Sequence, residues 1–330
     1  MKKPVNDEVY KHKEENNYSR INQGNKKVIQ TDMQVTDRYN QKRLIETAIP
    51  YLYLIPALLF VGIFLLYPAV RTFCMAFTRW NGVSPPVWVG LKSFRTIFLN
   101  PVFRTSLINT LYWAVATLIL PVVLGLTAAL FVSRIKSNNI FKLLLFLPYS
   151  LSAVVVGIVW SYMYQSSGAI NTFLRLIGLE RLTYIWLQEV PQNTFAIIIA
   201  FTWRMVGINF VLFLIGLQNI PQEPIEAAKL EGASEWQLTI KVILPMLSQM
   251  TAVVVVMAFI NGFNSFDIIW VMTLGGPFRS TETLAVTMYR ESFIHFKFGS
   301  GSSVAVLISL ITFGASIFYF KAIFREEHFE

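Results

Sequence analysis

Charge is scarce in this 330-residue chain, and cysteine is nearly absent. Asp, Glu, Lys and Arg make up 14% of the residues, against about 25% in an average soluble domain. The one cysteine, Cys74, has no partner, which excludes a disulfide scaffold. Catalytic signatures are missing too: there is no GxxxxGK(S/T) phosphate loop, HExxH, CxxC or GxSxG. Binding of ATP in the P-loop manner is therefore excluded, and no cofactor is expected in this chain. His12, His295 and His328 are scattered and not paired at ligand spacing, so no metal site is expected. What the chain has in quantity is apolar surface. Hydrophobic residues make up 54% and mean hydropathy is +0.51. Seventeen of the 47 charged residues fall in the first 46 positions, leaving 30 for the other 284. The composition is that of an integral membrane protein.

A helix crossing a bilayer needs about 20 apolar residues, and six uncharged runs reach that length. They are Thr47–Val70, Thr105–Ser133, Leu143–Leu174, Val190–Gln222 (broken only by Arg204), Val242–Phe266 and Phe298–Phe320. The fifth is expected to extend past Asp267 to Thr273. None alternates apolar with polar residues, and a barrel would need many segments of about 10 residues. The fold class expected is all-α, with six transmembrane helices.

Residues 1–46 form a polar tail with ten Lys/Arg and seven Asp/Glu. Its bases are too mixed with acids for a nucleic-acid arm. The first run is too long for a signal h-region and lacks a small-residue cleavage site, so it is read as a retained span. With both termini inside, the inner segments hold seventeen basic residues and the outer loops ten, which favours cytoplasmic termini.

The segment from Asn219 to Pro245 carries the most information. Pro221 and Pro224 end the fourth run and suit the first turn of a new helix, where a missing N–H costs little. Ile225–Glu231 is made mainly of helix formers, and Gly232 supplies a left-handed stop. Ser234 with Gln237 matches a capping box that starts a second short helix. The product is a helix–Gly–helix elbow presenting the small residues Ala227, Ala228 and Ala233, with Pro245 before the fifth span. On physics alone it is equally an ordinary interfacial hairpin.

Glu226-Ala227-Ala228, Gly232 six residues after the Glu, and Leu244-Pro245 resemble the EAA signature of ABC importer permeases. Val242 stands where that pattern usually has Ile, and Glu231 where Asp often precedes the Gly. Gly90-Leu-Lys-Ser-Phe94, Asn109-Thr110, Phe146-Leu-Pro148 and Gly275-Gly-Pro277 are similar to the core of sugar permeases of the maltose and glycerol-3-phosphate type. The resemblance covers 50–324. It implies the type I importer permease architecture, with the elbow as coupling helix in a cleft of a cytoplasmic ATPase that binds the ATP. It implies as partners two ATPase subunits, a second permease subunit in a heterodimer and an extracytoplasmic solute-binding protein, in the plasma membrane of a prokaryote. Glu226, Ala227, Ala228, Gly232 and Pro245 are the coupling residues it points to.

Within the spans, Arg204 and Asp267 are expensive to leave facing lipid. An ion pair locking spans four and five is the favoured arrangement, and a substrate contact by Arg204 is the other. Ala258, Gly262 and Ser265 recur at i, i+4 and i+7, a narrow face suited to close helix packing or to a ligand path. Asn261 and Asn264 flank it as hydrogen-bonding groups, with Trp203, Phe263 and Trp270 as aromatic neighbours. The function expected is ATP-driven import of a carbohydrate, an oligosaccharide first, and not catalysis. Import of glycerol-3-phosphate or a polyamine is the alternative. An ion-coupled secondary transporter is disfavoured, because no inverted repeat or broken helix is detected.

Overall fold

The computed structural model describes residues 51–135 and 139–326, with side-chain surroundings to residue 317. The polar tail lies outside the described residues. Two compact units divide the chain after Val70. An apolar helix, α1, is described over Tyr51–Met75. The second unit begins with a small antiparallel pair, β1 (Thr78–Arg79) and β2 (Val87–Trp88), followed by α2 (Lys92–Leu99) and the long α3 (Pro101–Val132). Next come α4 (Asn139–Ser150), α5 (Ala153–Met163), α6 (Ala169–Leu176) and α7 (Gln192–Gln218). The elbow is α8 (Gln222–Leu230) and α9 (Glu235–Met246), leading to α10 (Ser248–Phe263). The chain ends through α11 (Asp267–Thr273), α12 (Leu284–Tyr289) and α13 (Phe298–Glu326).

Among the described residues, four straight helices are long and apolar enough to cross a membrane: α1, α3, α7 and α13. Two further pairs qualify only as bent spans, α4 with α5 at 97° and α9 with α10 at 71°. Six spans result if each bent pair counts once. The third run is therefore broken, against expectation. Pro148 sits inside α4 and has no N–H to give the turn before it. Two residues after α4 ends, Ser152 is extended (φ −65°, ψ 152°) and its Oγ accepts from the Val155 N–H, starting α5 afresh. The same run leaves helix again at Tyr164, the end of α5. The fifth run is corrected likewise. Helix α10 stops at Phe263, and Asp267 opens a separate helix rather than continuing the span.

Helix α3 is the strut of the second unit. It carries ten buried residues, among them Phe103, Trp113 and Thr117. A Cβ built on its Gly125 would come within 2.6 Å of the Asn209 Cβ and 3.0 Å of the Phe210 nitrogen. Only glycine lets α3 and α7 cross that closely. Around the crossing, Phe210, Phe213, Leu214, Ala129 and Val254 form one buried cluster, joining α3, α7 and α10. A second, around Trp113, Ile197, Phe201 and Ile269, joins α3, α7 and α11.

Candidate functional site

The elbow is built from short-range contacts. Pro221, extended at ψ 142°, caps α8 at its start, and Pro224 occupies the first turn, whose N–H groups have no helical acceptor. After Leu230 the chain stops on Gly232 at φ +82°, with the Ala233 N–H donating to the Ala228 carbonyl at 3.0 Å. A Cβ on Gly232 would meet nothing within 4 Å, so conformation and not space requires the glycine. Ser234 and Gln237 form the expected capping box: the Ser234 N–H donates to Gln237 Oε1 at 2.9 Å, and the Gln237 N–H to Ser234 Oγ at 3.4 Å. Glu226, Ala227, Gly232 and Pro245 are exposed, and Ala228 is half-buried. Two large apolar side chains stand out beside them, Leu230 at 90% and Trp236 at 74% exposure.

On its inner side the elbow is joined to the end of α3. Arg134 Nη1 lies 3.0 Å from Glu235 Oε2, and Nη2 is 3.5 Å from Thr239 Oγ1. Beside this contact is a cavity of about 570 Å³, walled by Leu130, Leu217, Ile225, Lys229 and Leu238.

The residues expected along a path separate into two groups. Ala258, Gly262 and Ser265 are buried. A Cβ on Gly262 would fall 2.7 Å from Thr117 Oγ1 and 3.4 Å from the Ala114 Cα, so this face packs on α3. Ser265 Oγ donates back to the Asn261 carbonyl at 2.7 Å. Asn261 is half-buried and Asn264 exposed. Asn264 lines a cavity of about 260 Å³ with Phe266, Tyr289 and Ser309. Tyr289 stands 4.8 Å, centroid to centroid, from both Phe266 and Trp270. Phe263, by contrast, is buried and is no platform.

The expected ion pair of Arg204 with Asp267 is not formed. Arg204 Nε donates to the Leu151 carbonyl at 3.1 Å, and the guanidinium lies 5.3 Å above the Tyr149 ring. Leu151 sits in the break between α4 and α5, where a carbonyl lacks its helical donor. Asp267 is exposed in the first turn of α11, where the helix dipole favours a carboxylate. Arg204 is thus engaged by the Leu151 carbonyl and the Tyr149 ring rather than by Asp267. The pattern Pro148 followed by Ser152 is the sequence signal that marks this break.

A buried polar network at the other end of α3 was not anticipated. Glu282 is fully buried, accepting from Thr287 Oγ1 at 2.8 Å, with Arg290 Nε at 3.3 Å and Arg279 Nη1 at 3.6 Å. The Asn109 amide of α3 donates to the carbonyls of Arg279, Ser280 and Glu282. Asn193, at the start of α7, donates to Ser280 Oγ at 2.7 Å and to the Gly276 carbonyl at 3.3 Å. This network pins the loop between α11 and α12. Asn109 and Leu130 are about 30 Å apart at 1.5 Å per residue, so the loop and the elbow lie at opposite ends of one helix.

Comparison with known proteins agrees with this construction. The family model for the binding-protein-dependent transport system inner membrane component matches residues 121–326. A probable ABC transporter permease protein of Pyrococcus horikoshii is 35% identical, over 80% of this chain and 92% of its own. The arabinooligosaccharides transport system permease protein of Bacillus subtilis is 31% identical, over 83% and 88%. The sn-glycerol-3-phosphate transport system permease protein of Pectobacterium atrosepticum is 29% identical, over 86% and 97%. Among solved structures, a chain of a bacterial ABC transporter that imports the acidic polysaccharide alginate superposes with a TM-score of 0.76. It is 21% identical, over 86% of this chain and 99% of that one, a likeness of fold. With a family match over more than half its length and permease relatives aligned across four-fifths of it, the chain belongs to the binding-protein-dependent inner membrane components, the permeases of ABC importers.

Proposed function

We propose that this permease admits a carbohydrate, an oligosaccharide first, by alternating access driven from a separate ATPase through the elbow. The observation that carries the reading is the elbow itself: a capped helix pair turned on Gly232 at φ +82°, with Glu226 and Ala227 exposed on it. Two ATPase subunits would bind the ATP, and this chain would hold none. A second permease subunit would complete the path. The elbow and both termini, the polar tail included, would then lie in the cytoplasm, with the pinned loop on the outer side where a solute-binding protein delivers its cargo.

Carbohydrate is favoured over a charged solute by what faces the cavity beside α10. Asn264 and Ser309 offer donors and acceptors, while Phe266 and Tyr289 offer flat apolar faces, the mixture a sugar requires. Asn261, half-buried on α10, would complete the path. Arg204 is the one cation within the apolar runs, and it is engaged by the Leu151 carbonyl and the Tyr149 ring. A phosphorylated solute would want several free cations at depth, and a polyamine several carboxylates. Ala258, Gly262 and Ser265 would shape the path by holding α10 against α3.

The test is ATP hydrolysis by the reconstituted complex, with binding protein, over a panel of oligosaccharides, glycerol-3-phosphate and polyamines. Stimulation by a saccharide is expected. Stimulation only by a charged solute would overturn the substrate class, and ATP turnover by this chain alone would overturn the division of labour.

A further inference from the structure

We propose that Arg134 is a positioning residue of the coupling machinery. Its ion pair with Glu235 tethers the second arm of the elbow to the end of α3, and movement of the elbow breaks it. The proposal rests on the reading of the elbow as the ATPase contact.

Covalent connection sets the need for such a tether. Helix α8 follows α7 after a few residues and α9 runs into α10, so those spans receive elbow motion through the backbone. Helix α3 has no such link, yet it lies against both: Gly125 against Asn209 on α7, and Thr117 against Gly262 on α10. Between its end and the elbow there is open space, the cavity of about 570 Å³. The Arg134 side chain reaches Glu235 at 3.0 Å and Thr239 at 3.5 Å beside that space. The pair therefore latches the arm to α3 in this conformer, and motion of the arm opens it.

The pairing is also placed by the helices themselves. Arg134 follows Ser133, the C-terminal cap of α3, where exposed carbonyls attract a cation. Glu235 is the first residue of α9, held by the Ser234 capping box at an end that attracts an anion. Each charge is stable at its own helix end, so pulling the ends apart strands neither. The two side chains are 51% and 67% exposed. A pair so open to water biases a two-state equilibrium about fivefold at most. That is too little to hold the fold and enough to favour the conformer in which the pair is formed.

The test uses the whole importer in nanodiscs at low ionic strength. Solute-independent ATP hydrolysis and solute imported per ATP are read for wild type, Arg134→Gln, Arg134→Glu, Glu235→Arg and the swap Arg134→Glu/Glu235→Arg. Arg134→Glu is expected to raise solute-independent hydrolysis about two- to fivefold and to lower import per ATP, with Arg134→Gln smaller in the same direction. The swap should return both readings toward wild type. High salt should move wild type toward Arg134→Gln, since exposed charges are screened within about 10 Å at 0.1 M. Wild-type readings for both Arg134 variants at normal abundance would overturn the tether. So would a swap no closer to wild type than Arg134→Glu, because the arginine would then act through some other partner. Gly232→Val separates the two levels: if it too couples normally, the elbow reading fails, and if it uncouples while Arg134 variants do not, the tether alone fails.

Discussion

The two ends of α3 are built in opposite ways. At one end the elbow takes its shape from its own neighbours in sequence, Ser234 with Gln237, Ala233 with Ala228 and a glycine at φ +82°, and its link to α3 through Arg134 is an exposed one. Most of the elbow is exposed, and only Leu238 is buried. At the other end the loop from Leu274 to Thr283 is held by residues far away in the chain, Asn109 and Asn193, and by a Glu282 sealed from water. On the proposed function, the difference separates a part free to shift from a part that is fixed. A locally capped elbow can shift as a unit without breaking buried bonds, whereas moving the loop would expose unpaired carbonyls and a buried carboxylate.

Substitutions at each end should therefore fail in different ways. The largest effect on stability is expected at Glu282. Glu282→Leu leaves the partly exposed Arg279 and Arg290 without their carboxylate and the buried Thr287 hydroxyl without its acceptor, which should cost ~1–3 kcal/mol. Thermal unfolding of the purified complex should show it as lost or weakened assembly. If Glu282→Leu unfolds at the wild-type temperature, the loop is not the fixed end.

Gly262→Leu comes next. With Thr117 Oγ1 at 2.7 Å from the position of its Cβ, added bulk should cost ~1–3 kcal/mol and disturb assembly. Normal assembly with reduced uptake would instead put this face in the path. Asn264→Ala should leave unfolding unchanged within about 0.5 kcal/mol, as surface changes usually do. It should lower saccharide uptake while basal ATP hydrolysis persists. Equal uptake would remove Asn264 from the path.

The same contrast explains what the sequence reveals by itself. Pro221, Gly232 and the Ser234–Gln237 box act on residues within a few positions, so turn and capping chemistry read from the chain is borne out in the elbow. Counting uncharged runs also finds the straight spans, α3 within four residues at either end of Thr105–Ser133. It misses the break at Leu151, because apolarity says nothing of backbone direction; Pro148 and Ser152 do. Pairing Arg204 with Asp267 fails for a related reason: counting charges overlooks an orphan carbonyl as a partner. The Glu282 network is beyond such reading, since Asn109 and Glu282 are brought together only by the fold.

On the proposed function the exposed elbow, and not the buried end, transmits work. Gly232→Val tests it most directly, because a β-branched residue at positive φ is strongly disfavoured while no neighbour is within reach of the new side chain. The measurement is solute import per ATP in proteoliposomes, alongside membrane abundance and thermal unfolding. Normal abundance and unfolding are expected, with import per ATP greatly reduced and a similar loss for Glu226→Lys. Normal import per ATP in both variants, at normal abundance, would contradict it.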